Sequence, residues 1–294
     1  MSDSLSLQLV NTVPSAPVRK DDAHKGDCGR ALIIAGSRGM SGAACLSGTS
    51  ALRGGAGLVS VAVPDGILEI VASYEPSYLT LGLPDDEHGR LTNAAAVPLK
   101  QVIERQSSVA VGPGLGQSTG LLDLVTSLYN TIPHPSVFDA DALNQLAKRP
   151  YFLKRSPDAP ARIITPHVGE FARLTGLDIE TIQQNRQQHA AEFAKKHNVI
   201  VVLKGKNSVI TDGTRVAINS TGNSGMATGG TGDVLTGVLV ALLAQGMPAF
   251  EAAHLGVHLH GLAGDLAAEE LSKPGMIASD LLHYLGRAWC ELGQ

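Results

Sequence analysis

The stretch ALIIAGSRGMSGAACLSGTSALRGGAGLVSVAVP, residues 31–64, contains two short apolar runs on either side of a longer segment. Both runs, 31–36 and 58–64, are apolar on both faces, which is typical of strands buried inside a parallel sheet. Residues 42–53, between the runs, have the apolar spacing and length of a helix. A strand, a helix and a second buried strand form the unit from which parallel α/β sheets are built.

The same alternation continues along the chain. Further strands are predicted at 107–114, 136–140, 162–166, 199–205 and 208–211, and helices at 119–130, 141–148, 168–175 and 180–197. Asp212-Gly213 within NSVITDGTRVAINS predicts a hairpin, and later helices are predicted at 233–245, 249–270 and 278–287. The sequence therefore predicts an α/β fold with a mostly parallel sheet covered on both faces, in one domain over residues 25–294. Residues 1–24 are predicted to form an extended N-terminal arm.

Composition narrows the classes of protein and partner. Of the 294 residues 44% are apolar and 17% are charged, which is sufficient for a large core. The net charge of −4 argues against a nucleic-acid or anionic-membrane partner. Widely spaced Cys28, Cys45 and Cys290 predict reduced thiols. The N-terminus does not resemble a signal peptide and no apolar run is long enough for a bilayer, so a soluble cytoplasmic protein is expected.

Glycines and polar residues follow five of the predicted strands. In parallel α/β sheets, ligands bind beyond the carboxyl ends of the strands, so these residues are expected to share one cleft. They are Gly36-Ser37, Gly112-Pro113-Gly114-Leu115-Gly116, Asp139-Ala140-Asp141, Thr165-Pro166-His167 and Lys204-Gly205-Lys206. The sequence contains no Walker A motif, and the glycines of 112–116 do not complete a dinucleotide fingerprint. A tight strand-to-helix turn and close approach of a ligand remain alternative explanations for those glycines.

The segment GMATGGTGDVLTG, residues 225–237, places five glycines and one carboxylate at the start of an apolar helix. Free backbone N–H groups and the helix dipole at such a start favour negative charge. The same field is expected to keep Asp233 ionised. A carboxylate beside bound phosphates could take a proton from an attacking hydroxyl, as phosphoryl transfer requires. The alternative is an aspartate that only caps the helix.

Several charged residues at the strand ends have two interpretations each. Lys204 and Lys206 suit either a charged hairpin edge or the phosphate or adenine side of the cleft. His167 and Glu170 could cap a helix, or they could contact a ligand at the mouth of the cleft. Asp139 is predicted to support the site.

Two further groups of polar residues are assigned to structure. Asp141 is predicted to cap the helix that starts at Ala142. His254, His258 and His260 invite a metal interpretation, but the ordering of a zinc-protease motif is absent, so packed or capping histidines are expected.

Taken together, the motifs resemble one family, the ADP-dependent NAD(P)H-hydrate dehydratases of the ribokinase-like superfamily. The resemblance runs in family order from about residue 24 to residue 280. The stretches that carry it are 24–64, VGPGLG (111–116), DADALN (139–144), ITPHVGEFARLTG (164–176), LKGKNSVITDG (203–213), NSGMATGGTGDVLTG (223–237) and HLHGLAGD (258–265).

The resemblance implies a ribokinase-like three-layer α/β/α sandwich with a central, mostly parallel sheet. It also implies a lyase reaction that returns the S forms of hydrated NADH and NADPH to the working cofactors, with ADP converted to AMP and phosphate. In the family the ring hydroxyl is phosphorylated before phosphate leaves. This order of steps is chemically reasonable, because hydroxide is a poor leaving group, whereas the phosphate of a phosphate ester is a good one.

Family roles transfer to matching positions of this chain. Asp233 would be the base and contact the reacting hydroxyl. The substrate would be contacted by Ala43, Gly114, Gly116 and His167. The nucleotide would be bound by Lys204, Gly205, Lys206, Asn207, Ser208, Gly230, Thr231 and Gly232. Glu170 stands in the place of the glutamate of an Asn-x-x-Glu element, preceded here by His167, and would reach Mg²⁺ mainly through water. Mg²⁺ is expected because multiply charged phosphates need neutralising.

Partners and competing functions follow from the same resemblance. Many relatives carry an N-terminal epimerase domain, and the segment before residue 31 is too short for one, so a separate epimerase is expected. A homo-oligomer, such as a tetramer, is expected as well. The competing functions are an ATP-dependent kinase of a vitamin precursor on the same fold and a nucleotide-binding regulator without catalysis.

Overall fold

The computed structural model describes residues 6–294, so the first five residues of the predicted arm lie outside the described residues. The strands are β1 (Gln8–Leu9), β2 (Arg30–Ile34), β3 (Leu58–Pro64), β4 (Leu79–Leu83), β5 (Ser108–Val111), β6 (Ser136–Phe138), β7 (Arg162–Ile164), β8 (Ile200–Leu203), β9 (Val209–Thr211) and β10 (Arg215–Ile218). The helices are α1 (Ser41–Arg53), α2 (Leu68–Tyr74), α3 (Ala96–Ile103), α4 (Thr119–Thr131), α5 (Asp141–Leu146), α6 (Val168–Thr175), α7 (Ile179–Gln184), α8 (Arg186–His197), α9 (Thr231–Ala244), α10 (Ala249–Leu271) and α11 (Ala278–Glu291).

All ten described strands form one sheet in the order β1-β10-β9-β8-β7-β6-β5-β2-β3-β4. Its neighbours pair in parallel except at β9, which is antiparallel to both β8 and β10. The chain builds outward from β2 to β4 and then returns to place β5 on the other side of β2. The sheet order therefore reverses between β2 and β5, and ligands of open α/β sheets bind at such a reversal.

Alternation along the strands produces two cores, one on each face of the sheet. In β2, Ala31 and Ile33 pack toward α1, α2 and α9–α11, whereas Leu32 and Ile34 pack toward α3–α8. Successive strand residues point to opposite faces, so runs that are apolar throughout place a hydrophobic layer on each side. The predicted three-layer arrangement with a mostly parallel sheet is confirmed.

Some elements differ from the sequence prediction. The predicted helix 180–197 is two helices, because Asn185 leaves the helical conformation and its side chain caps α8 by accepting from Gln188 N. The elements α2, β4 and α3 were not predicted, since their patterns are short and β4 lies at the exposed edge of the sheet. Within the predicted arm, Gln8–Leu9 pairs with Arg215–Val216 as the opposite edge strand. The domain boundary at residue 24 stays a prediction.

No helix within residues 6–294 combines the length and hydropathy needed to cross a membrane.

Arg162 is a fully buried cation that no carboxylate neutralises within the described part of the chain. Its guanidinium instead donates to the carbonyls of Tyr129 (3.0 Å), Ile132 (2.7 Å) and His134 (2.9 Å). These carbonyls lie at and beyond the C-terminal end of α4, where helix carbonyls have no intrahelical partner and the dipole favours positive charge. Burial lowers the pKa of Arg162 to about 9, which still leaves it charged at neutral pH. Arg162 therefore fixes the end of α4 to the sheet.

Replacing Arg162 with methionine should lower the free energy of unfolding by about 3 kcal/mol, because it leaves several buried carbonyls without donors. The measurement is urea unfolding followed by circular dichroism. Arg105→Met, at an exposed position, is the control and should change the free energy of unfolding by less than about 0.5 kcal/mol. Equal unfolding midpoints for the two variants would show that the carbonyl cluster does not need Arg162.

Candidate active site

The loops that follow β2 and β5 are joined at the point where the sheet order reverses. Gly36 N donates to Pro113 O at 2.8 Å, and Ser37 Oγ donates to Gly114 O at 2.8 Å. A side chain at Gly112, where φ is +136°, would overlap the carbonyl of Asp139. At Gly114, where φ is +62°, a Cβ would lie 2.8 Å from Ala43 Cβ. The structure thus places Ala43 against Gly114 and requires glycine at both positions for the loops to meet.

A buried ion pair links the ends of β6 and β8. Lys204 Nζ lies 2.7 Å from Asp139 Oδ1 and 4.0 Å from Glu170 Oε2. Asp139 is 1% exposed, and its second oxygen accepts from Thr236 Oγ1 at 2.9 Å. Burial alone would lower the pKa of Lys204, but the carboxylates of Asp139 and Glu170 outweigh it and raise that pKa above its usual value. The ammonium group therefore stays charged, and the prediction that Asp139 supports the site agrees with this geometry.

The glycine-rich segment starts α9 beside this ion pair. Gly230, with φ of +96°, precedes α9. Among the described residues, 6–294, no side chain caps the start of this helix. The N–H groups of its first turn are thus available to an anion. Gly232 lies next to the ion pair, because a Cβ built on it would be 3.4 Å from Lys204 Nζ. His260 Nε2 lies 2.9 Å from Thr231 O and is neutral, because burial lowers the pKa of His260 to about 4.

The glycines of this segment do not all serve the same purpose. A Cβ at Gly237 would lie within 2.5 Å of both Ser50 Oγ and the Ser47 carbonyl, which places α1 and α9 in close contact. At Gly229, by contrast, a Cβ would meet nothing within 4 Å. Part of the glycine content therefore serves helix packing, and part leaves backbone open at the cleft.

Asp233 lies one turn before Thr236 on α9, and the ion pair tunes its acidity. Burial raises the pKa of Asp233, and the negative charge of Asp139 raises it further. The positive charge of Lys204 lowers it, and the resulting pKa is about 7. A pKa near 7 corrects the expectation that Asp233 is kept ionised in the free protein, because burial and the negative charge of Asp139 oppose its ionisation. A carboxylate with a pKa near neutrality is well suited to accept and release a proton.

His167 and Glu170 form a capping box at the start of α6. His167 Nδ1 accepts from Gly169 N (3.0 Å) and Glu170 N (3.3 Å), and Glu170 Oε2 accepts from His167 N (2.8 Å). Burial lowers the pKa of His167, and Lys204 and Arg173 lower it further, so the ring is neutral at pH 7. The capping interpretation is confirmed, and the outer nitrogen of the half-exposed His167 ring, Nε2, lies 3.4 Å from Glu170 Oε1.

The loop after β8 is fixed from behind by an arginine. Arg186 donates to Leu203 O (2.9 Å) and Lys204 O (3.0 Å) and also bonds Lys206 O. Ser208 Oγ closes the loop by donating to Gly205 O at 2.9 Å. Lys206 and Asn207 are exposed at the tip of the loop, whereas Lys204 points inward to the ion pair. The structure therefore separates the two lysines that the sequence treats together.

Asp141 does not cap α5 as predicted. Asp141 is the first residue of α5, and its Oδ2 accepts a hydrogen bond from Gly116 N at 2.8 Å. This bond fixes the loop 112–116 to α5, so Asp141 positions a residue of the predicted substrate site.

Three contributors to the site were missed at the level of sequence. Thr236 bonds Asp139, Ser47 Oγ donates to Asp233 O at 3.0 Å, and Arg186 holds the loop after β8. Thr236 could have been found, because it is a hydroxyl one turn after Asp233 in an otherwise apolar helix. Ser47 and Arg186 are far away in sequence and carry no such signal.

No set of three or more His, Cys, Asp or Glu residues in the described part of the chain is arranged to hold a metal ion by itself. Packing or capping is the predicted role of His254, His258 and His260. For His260 the structure shows the partner, the carbonyl of Thr231.

The family model described as NAD(P)H-hydrate dehydratase matches residues 31–287. The chain belongs to the NAD(P)H-hydrate dehydratase family. The resemblance drawn from the motifs is thereby confirmed.

Two curated relatives show how much of the family protein the chain represents. The bifunctional NAD(P)H-hydrate repair enzyme of Moorella thermoacetica is 43% identical over 92% of this chain and 51% of its own length. The ADP-dependent (S)-NAD(P)H-hydrate dehydratase of Bacillus subtilis is 34% identical over 93% of both proteins. The chain thus spans about half the length of the bifunctional relatives it matches.

A solved structure supports the fold independently. The ADP/ATP-dependent NAD(P)H-hydrate dehydratase from Bacillus subtilis, co-crystallised with ATP and Mg²⁺, superposes with a TM-score of 0.81 at 31% identity over 95% of each chain. A ribokinase-like protein is also among the structures that superpose. The predicted ribokinase-like fold class is confirmed.

Proposed function

We propose that this protein catalyses the ADP-dependent dehydration of the S forms of hydrated NADH and NADPH, giving NADH or NADPH, AMP and phosphate. The observation that carries the proposal is the placement of Asp233 at the uncapped start of α9 beside the buried Lys204–Asp139 pair. The family match and the B. subtilis relative supply the substrate class.

In the first step the ring hydroxyl of the hydrate attacks the β-phosphorus of ADP. Asp233 accepts the hydroxyl proton, the new O–P bond forms, and the bond between the β-phosphorus and the bridging oxygen breaks to release AMP. The N–H groups at the start of α9, which include those of Thr231 and Gly232, face the transferred group. Lys204 adds positive charge where the phosphoryl oxygens gather charge.

In the second step the C–O bond of the phosphate ester breaks and phosphate leaves. Loss of a ring proton then restores the double bond of the reduced nicotinamide. The net change is the loss of water from the hydrate coupled to hydrolysis of ADP to AMP. We assign the hydrate to Ala43, Gly114, Gly116 and His167, and the adenylate side to residues 204–208 and Gly230.

Mg²⁺ is proposed as the counterion of the ADP phosphates. One oxygen of Glu170 already accepts from His167 N, and this side chain is only 5% exposed, so the protein fits a magnesium ion held by the nucleotide and by water better than a directly bound ion. When bound, the ion would neutralise the phosphate charge beside Lys204. The co-crystal of the B. subtilis enzyme with ATP and Mg²⁺ supports its use in the family.

An assay of purified protein separates the proposed reaction from a vitamin-precursor kinase. With hydrated NADH, we expect ADP to restore the absorbance of the reduced ring and to yield one AMP for each NADH formed. With ATP and a hydroxymethylpyrimidine, thiazole or pyridoxal acceptor, we expect no phosphorylated product. The opposite pattern would establish the kinase function instead.

The acidity of Asp233 predicts the pH dependence of the reaction. The base must be ionised, so kcat/KM should rise with pH through about 7 and level off above it, in line with the pKa of the free protein. Asp139→Asn removes a neighbouring negative charge, which lowers the pKa of Asp233 and should move the rise to lower pH. Steady-state rates between pH 5 and 9 test this prediction. A rise at the same or a higher pH in the variant would contradict it.

The wider setting is proposed on the same basis. We infer a homo-oligomer, such as a tetramer, in the cytoplasm. Association of subunits is supported by Ile70, Tyr74 and Leu79, which are about half exposed or more around the edge strand β4 and its neighbour α2. Light scattering after gel filtration tests it, and a monomer would refute it. We also propose that a separate epimerase supplies the S form; conversion of the R form by the purified chain alone would refute that proposal.

A further inference from the structure

A second cleft, of about 440 Å³, lies beside the predicted substrate residues and is lined by Gln117, Asn144, Ala147, Lys148 and Arg173. It is formed by the loop before α4, the helix α5 and the end of α6. None of the roles assigned above uses these side chains. Its polar lining consists of two cations and two amides, which is the donor-rich composition of an anion site.

The two cations of this second cleft have no acidic partner. Neither Lys148 nor Arg173 lies within 4 Å of a carboxylate in the part of the chain that the structure describes. The nearby Asp123 is paired with Arg149 at 2.6 Å, and Asp141 accepts from Gly116 N. The local charge of the cleft is therefore positive in a protein whose net charge is −4.

The amides of the cleft accept from these cations through their oxygens. Lys148 Nζ donates to Gln117 Oε1 at 2.8 Å, and Arg173 Nη1 donates to Asn144 Oδ1 at 2.9 Å. Lys148 Nζ also donates to Gln145 Oε1 at 3.1 Å, which leaves it one N–H group, while both amide NH₂ groups and the rest of the Arg173 guanidinium remain as donors. Each of the four polar side chains thus keeps at least one N–H group that can donate to an acceptor in the cleft.

Residues that line the second cleft are close in the chain to residues of the predicted substrate site. Gln117 follows Gly116, which is itself fixed by Asp141 on α5. Arg173 lies on α6, whose first residue follows His167, and its charge contributes to the lowered pKa of His167. The cleft therefore lies next to Gly116 and His167, so a part of the ligand beyond the reacting ring has a donor-lined cleft beside it.

We propose that the second cleft binds a phosphate group of the dinucleotide substrate through Lys148 and Arg173. The inference rests on the proposed function, since hydrated NADH and NADPH are dinucleotides whose phosphates lie beyond the ring that reacts. The diphosphate bridge is common to both hydrates, and the 2′-phosphate occurs only in hydrated NADPH. Arginine is suited to either group because its guanidinium can donate two parallel hydrogen bonds to phosphate.

The test is equilibrium binding of each hydrate by calorimetry without ADP, so that no turnover occurs. The double variant Lys148→Gln with Arg173→Gln should bind hydrated NADPH about tenfold or more weakly than the unchanged protein. An equal loss for hydrated NADH identifies the diphosphate, and a loss confined to hydrated NADPH identifies the 2′-phosphate. Raising the salt concentration should weaken binding to the unchanged protein more than to the variant.

A matched control removes the same charge elsewhere. The control is the double variant Lys100→Gln with Arg105→Gln. Both residues are exposed near the end of α3, which leads into the opposite end of the sheet. This variant should bind both hydrates as tightly as the unchanged protein. If the unchanged protein and the Lys148/Arg173 variant bind both hydrates equally, the second cleft is not a phosphate subsite, although the proposed function stands. If the unchanged protein binds neither hydrate, the proposed function fails and the subsite fails with it.

Discussion

Asp233→Asn is expected to lower kcat by about 10³-fold, while ADP still binds. The amide keeps the shape of the carboxylate but cannot accept the hydroxyl proton in the transferring step. The backbone of Asp233, which accepts from Ser47 Oγ, is unaffected by the change, so the start of α9 should keep its position. The loss should therefore appear in turnover and leave calorimetric binding of ADP nearly unchanged.

The control for this variant is Asp158→Asn, an exposed carboxylate outside the described site, which should retain full activity. Activity is measured as reduced cofactor formed from its hydrate in the presence of ADP. A rate of Asp233→Asn equal to that of the control would remove Asp233 from the mechanism. Loss of ADP binding together with activity would show instead that the substitution disturbs the nucleotide site.

Lys204→Met is expected to have the second largest effect, and it should affect both activity and stability. Loss of the ammonium group removes charge stabilisation of the transferred phosphoryl group, which should lower kcat by about 10²- to 10³-fold. It also leaves Asp139 buried without its cation, which should lower the free energy of unfolding by about 3 kcal/mol. Unfolding in urea and steady-state kinetics measure the two effects separately.

Combining Lys204→Met with Asp139→Asn separates the two roles of the lysine. Asparagine removes the unpaired charge, so at pH 9, where Asp233 is ionised, the double variant should recover most of the lost stability but none of the lost rate. Lys196→Met, at an exposed position on α8, is the control and should behave as the unchanged protein. Recovery of activity in the double variant would mean that Lys204 acts through stability and not on the phosphoryl group.

The fold was largely predictable, because its main signal is local. Runs that are apolar on both faces, such as 31–36 and 199–205, can only be buried between two layers, and the segments between them have helical spacing. The elements α2, α3 and β4 were not predicted, because they are short and their hydrophobic patterns are weak. The break at Asn185 was also missed, since a polar cap within a long helical pattern is hard to distinguish from an exposed helix residue.

The site was predictable in location and less so in electrostatics. Asp139, His167 and Lys204 could be assigned to the candidate site from their positions at the ends of strands. The acidity of Asp233 was predicted wrongly, because its pKa depends on burial and on Asp139, which is distant in sequence. Asp141 was likewise assigned to its own helix, while its bond reaches back to Gly116. Such contacts exist only after the sheet has assembled.

The most direct test of this account is to incubate the purified protein with the S form of hydrated NADH and ADP, and to quantify NADH, AMP and phosphate together. The account predicts equal amounts of the three products, with no NADH formed when ADP is omitted. NADH formation without ADP, or ADP consumption without NADH, would contradict phosphorylation of the ring hydroxyl as the central step.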